Sequence, residues 1–231
     1  MCTEEKLADT SGEPLKTTLM RLVIVVIFSI AFAYIESAVV VYLRVIFHPE
    51  GFTFPLSDFD TILQHKALLL TEIGREAATI VLILTGAWLF GRNLQQRFAY
   101  FLTIFAVWDI FYYVWLKVLL NWPARISDWD ILFLIPTAWA GPVVAPVLIS
   151  ITLLVFAIAI LFRDSVGRGI RASRIEWLGF IAAAVVVVVS FCLAGRHIAE
   201  PDFESYFYWP VFAAGQIGAI TLFVKCLLKP K

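Results

Sequence analysis

Long apolar runs alternate with short polar stretches along the whole chain. A membrane-crossing helix needs about 20 mostly apolar residues. Six stretches are long enough: residues 21–47, 68–90, 98–121, 131–162, 176–194 and 207–228. This pattern predicts an all-α polytopic membrane protein with six transmembrane helices in one domain, residues 21–228. A cytoplasmic segment, 1–20, precedes it and a short tail, 229–231, follows. The fourth stretch is longer than one crossing and carries Pro136, Pro142 and Pro146. Its first part, 131–140, is therefore either helix or an interfacial piece, with the crossing proper starting near Gly141. The first stretch is too long for a signal-peptide core and follows an acidic leader, so it is expected to remain in the mature protein.

The positions of Lys and Arg orient the bundle. Twelve of them fall on one set of helix ends: Lys6, Lys16, Arg21, Arg92, Arg97, Arg163, Arg168, Arg171, Arg174, Lys225, Lys229 and Lys231. The opposite ends hold five, Arg44, Lys66, Lys117, Arg125 and Arg196, in loops rich in Asp and Glu. The bias puts both termini in the cytoplasm of a multi-pass protein of the plasma or inner membrane.

Composition agrees with the pattern. Of 231 residues, 61% are hydrophobic and 16% charged, against about 45–50% and 25% in soluble domains. This excludes a soluble cytosolic enzyme, a nucleic-acid partner and a secreted disulfide scaffold. Net charge is zero and names no partner beyond the lipid bilayer. Cys2, Cys192 and Cys226 fall on different sides of the membrane, so no disulfide or redox pair is expected.

The informative residues are the charges inside the spans. Glu36 lies in the first, Glu72, Arg75 and Glu76 in the second, and Asp109 in the third. Five unpaired charges at mid-span would cost about 12–17 kcal/mol on the insertion scale, so they must face the bundle interior and satisfy one another. Their depths agree, all lying in the middle-to-outer part of the bilayer. Glu72, Arg75, Glu76 and Thr79 form one helical stripe, and Asp109, Tyr113 and Lys117 another, with Tyr112 alongside. The expectation is an outward-facing polar pocket among helices one to four. Four carboxylates around one deep guanidinium leave excess negative charge, so some must be protonated or a cation must sit among them.

The candidate site residues are thus Glu36, Glu72, Arg75, Glu76, Asp109, Tyr112, Tyr113 and Lys117, in acid/base or binding roles. Glu36, Glu72, Glu76 and Asp109 also form a candidate set for a divalent metal ion, the one cofactor the sequence raises. His48, His65 and His197, all near the outer face, form a weaker metal set, since their spacing matches no compact ligand motif. The segment 121–146, dense in Trp, Pro and Asp, reads as a lid over the pocket with Asp128 and Asp130 at its mouth, or as an interfacial belt. Loop 48–66 reads as a cover or a plain connection.

The leading reading is a membrane-embedded enzyme or a metal- or cation-binding protein acting on a small or lipid-soluble ligand from the outer side. A second is a proton- or cation-coupled carrier or channel using the same carboxylates. Against it, the inner halves of the spans offer only Ser29, Ser150, Thr152, Gln216 and Thr221 as polar stepping stones. A third is a non-catalytic subunit. Helices five and six, almost purely apolar, would then supply a face for a second copy or a membrane-complex partner.

Overall fold

The computed structural model describes residues 15–56, 65–135 and 137–229. Six long helices dominate: α1 (Leu15–Phe47), α2 (Lys66–Phe90), α3 (Leu94–Leu120), α4 (Val144–Ser165), α5 (Arg174–Gly195) and α6 (Trp209–Leu228). Each coincides with one of the apolar runs. Five of them are long and apolar enough to cross a membrane, α6 together with the 3₁₀ turn Phe203–Tyr206 before it. The helix outside that set is α2, which carries Lys66, Glu72, Arg75 and Glu76.

Local signals fix the helix ends. Asn93 caps α3 by accepting the Gln96 amide, and Asn121 closes that helix in the left-handed conformation at φ 53°, which asparagine tolerates better than most residues. Ser173 and Glu176 form a reciprocal capping box at the start of α5. Pro210 sits in the first turn of α6, where its missing N–H costs nothing.

Residues 129–142 depart from the all-helical expectation. They form an antiparallel hairpin of β1 (Trp129–Phe133) and β2 (Trp139–Pro142), with Trp129 opposite Pro142 and Asp130 opposite Gly141. The fourth long helix therefore starts at Val144, close to the later of the two starting points the sequence allows. The strands are rich in aromatic and branched residues, which favour extended backbone. Tight packing against α5 then holds the hairpin in place. A Cβ at Gly141 would lie 2.9 Å from the Phe191 ring, and one at Gly195 would collide with the Ala138 carbonyl.

The helices run alternately between two ends of the bundle. At the hairpin end, Leu56 donates to Ile198 (2.8 Å) and Val144 to Ile126 (2.8 Å). At the other, Gln96 donates to Asp164 (2.8 Å), Gln95 to the Ile170 carbonyl (2.8 Å) and Arg163 to the Leu227 carbonyl (3.1 Å). Lys225 and Lys229 pair there with Glu176. Many large apolar side chains stay exposed around the bundle, including Leu89 (83%), Leu70 (67%) and Ile35 (62%). An apolar outer surface of this kind is compatible with a multi-pass membrane protein.

Candidate functional site

Three helix faces and the hairpin meet around one cavity of about 180 Å³. On α1, Glu36, Val40 and Arg44 follow at four-residue steps and so share one face. From α2 come Leu68, Leu69, Glu72, Arg75 and Glu76, from α3 Trp108, Asp109, Tyr112 and Tyr113, and from the hairpin Asp130 through Leu134. Helices α1 and α2 each pack along α3, and between themselves meet chiefly through side chains. The cavity occupies that cleft.

Its charges are paired in a definite way. Arg75 lies between α1 and α2, donating to Glu72 at 2.8 Å and to Glu36. Thr79 also donates to Glu36, at 3.3 Å. Arg44 donates to Asp130 at 3.0 Å, while its guanidinium lies 3.8 Å from the Trp122 ring centre and 4.1 Å from that of Phe52. Tyr112 gives Asp130 a second hydrogen bond, 3.2 Å. Burial pushes the Asp130 carboxyl up to about 6, against the lowering pull of Arg44 and of the Tyr112 hydrogen bond.

Two carboxylates make no salt bridge among the described residues, although the neighbouring Arg75 charge acts on Glu76. Glu76 accepts the Leu134 amide on both oxygens, at 2.9 Å each, which fastens the hairpin to α2. Asp109 accepts the Ser150 hydroxyl from α4 at 2.7 Å. The hydrogen bonds to both side chains come from neutral donors. Glu36, Glu76, Asp109 and Asp130 are only 8, 4, 7 and 2% exposed, so each depends on the partners just named.

Seven of the eight residues singled out in the sequence line this cavity; the exception is Lys117. It is exposed and donates to the Asn121 and Pro123 carbonyls at 3.3 and 3.0 Å, satisfying the end of α3. The histidines do not converge. His48 lies at the cavity rim, 5.4 Å ring to ring from Phe52. His65 borders a separate recess with Lys66. His197 bonds Glu200 at 2.7 Å and stacks on Tyr206, and its hydrogen bond holds the Glu200 carboxyl below the usual range. Among the described residues, no three His, Cys, Asp or Glu side chains gather closely enough to hold a metal ion. Glu36, Glu72, Glu76 and Asp109 share a cavity but are committed to different partners, so the metal expectation finds no support in the geometry.

The sequence reading missed two features. Arg44 and Asp130 form an ion pair of the cavity apart from the two that Arg75 makes, although Arg44 stands eight residues beyond Glu36 on the same helical face and so carried a signal. Ser150 belongs beside Asp109, not in the inner half of the bundle, because α4 begins only at Val144. The cover was anticipated in part. Phe52 and Leu56 of the 48–56 segment line the cavity, whereas 57–64 lies outside the described residues.

Beyond Trp108 the cavity ends. Phe32 packs 6.3 Å from the Trp108 ring, and Val25, Ile83, Ala87 and Ile104 close the space between α1, α2 and α3. Ser29 and Thr103 in this layer bond back to their own helices, at 2.7 and 2.9 Å. Comparison with known protein families, characterised proteins and solved structures finds no match to the chain.

Proposed function

We propose that the chain is a six-span membrane protein with both termini in the cytoplasm, and that the cavity is a site for an amphiphilic molecule from the outer side or outer leaflet. Three features support this reading. The basic residues gather at the end opposite the hairpin, the orientation favoured by the insertion rule. The cavity pairs an apolar wall (Val40, Leu43, Leu68, Leu69) with a cluster of acids, guanidiniums and phenols, as small-molecule sites do. Glu76 and Asp109, buried and hydrogen-bonded to neutral donors, are suited to give or take a proton at a bound polar group, the work of a general acid or base. The leading function is thus a membrane-embedded enzyme or binding protein of acid/base type.

The observation that carries the proposal is the packed apolar layer beneath the cavity. A carrier needs a polar route past the midplane, and here that position is filled by Phe32, Ile83 and Ile104. An enzyme or binder needs no such route. Native mass spectrometry of protein extracted in a mild detergent tests the reading. The wild type is expected to retain a small amphiphile, and a Leu132→Trp variant, which fills the cavity, to lose it. The same adducts on both proteins, or none on either, would contradict the proposal.

A further inference from the structure

On the basis of that reading, the geometry points to an amine-bearing amphiphile as the occupant, its ammonium set between Asp109 and Glu76 and its chain in the cleft between α1 and α2. The charge accounting leads there. Arg75 is taken by Glu36 and Glu72, and Arg44 by Asp130. Glu76 and Asp109 receive only an amide N–H and a hydroxyl. A purely anionic headgroup would therefore enter a site where acids outnumber guanidiniums and each guanidinium already pairs with a carboxylate, only the Nη1 of Arg44 being left over. An amine meets the opposite situation. If it arrives neutral, the proton leaves a carboxyl oxygen for the amine nitrogen, and the resulting ammonium–carboxylate pair satisfies both groups where water is scarce.

A second and independent observation lies in the aromatic wall. Trp108 and Tyr113 line the cavity, are each 5% exposed, and hold a buried indole N–H and phenol O–H with no hydrogen-bond partner. Buried donors of this kind normally find an acceptor, so the occupant carries an oxygen close to its amine. The Nη1 of Arg44 is likewise buried and unpartnered. The rings themselves favour a cation, since Trp108, Tyr112 and Tyr113 form a continuous cluster with centroids 6.5 and 4.9 Å apart, and aromatic faces attract ammonium groups. A metal ion would need the convergent ligands that are missing among the described residues.

The test measures thermal unfolding of the full chain in maltoside micelles with three single-chain probes: lysophosphatidylethanolamine, lysophosphatidylglycerol and dodecylamine. At about a hundred times Kd, the two amines are expected to raise Tm by about 5–10 °C, and the glycerol lipid to raise it little. Asp109→Asn combined with Glu76→Gln should abolish the amine shift. Should that variant not fold, protection of a Val40→Cys thiol from a maleimide gives the same comparison in an otherwise intact cavity. A shift from the glycerol lipid equal to that from the ethanolamine lipid, no shift from either amine, or an amine shift that survives the double substitution overturns the inference. Rapid labelling of the unliganded Val40→Cys thiol with no amine selectivity would sink the amine alone, whereas a thiol that never reacts would sink the cavity itself.

Discussion

At the residue scale the site is governed by burial of charge. Arg75 bridges two carboxylates across α1 and α2, and removing it leaves both without their cation in apolar surroundings. Arg75→Ala should lower stability by about 3–5 kcal/mol, the usual cost of breaking a buried pair, whereas Arg125→Ala, at an exposed position, should be nearly silent. Thermal unfolding of the two purified variants in detergent checks the contrast. Asp130→Ala should be comparably damaging through Arg44, and Arg44→Met with Asp130→Leu should recover most of the loss. Asp130 also predicts a pH effect. Its folded-state pKa of about 6 exceeds the unfolded value of about 3.9, so the folded chain holds the proton longer. That contribution is complete below about pH 4, fades as pH rises to about 6 and is then absent. Subtracting the stability profile of Asp130→Asn from that of the wild type should expose this fall. Of these groups, Glu36, Arg75 and Asp109 were legible from sequence because a charge inside an apolar run has no innocent explanation. Asp130 was placed only at the mouth, since a loop acid usually faces water. Its burial depends on the hairpin turning inward.

At the element scale the hairpin decides the shape of the cavity. Its strand β1 supplies the roof, Glu76 grips it through the Leu134 amide, and α5 supports it where Gly195 allows contact with Ala138. Gly195→Ala should push the hairpin off α5 and lower Tm. Glu76→Ala should leave the bundle folded while speeding hydrogen exchange at the Leu134 amide, which then loses its acceptor. Unchanged exchange at Leu134 would show that the roof does not depend on this grip. Helix ends on the C-terminal side were legible to within about three residues because lipid-length apolar runs allow few alternatives, whereas α1 starts at Leu15 and α3 at Leu94, before their runs at 21 and 98. The hairpin was not, since an apolar run of strand length has no distinct period when it is buried on both sides. Pro142 and Gly141 marked where the helix had to start without showing what came before it.

At the scale of the whole molecule, the bundle is lopsided. The hairpin end holds the cavity, its three ion pairs and the aromatic cover, while the opposite end is tied by Asp164, Glu176 and their partners. Alternation of basic and acidic ends was legible from Lys and Arg counts alone. The shape of the interior was not, because no sequence pattern reports how far Phe32, Ile83 and Ile104 interdigitate. Access from one side is therefore the central claim. The most direct measurement places a single Val40→Cys in a chain whose Cys2, Cys192 and Cys226 are serine, and applies a membrane-impermeant maleimide to intact cells and to inverted vesicles. The account predicts labelling in the cells and protection in the vesicles. Equal labelling in both preparations, or labelling from the cytoplasmic side alone, would contradict it.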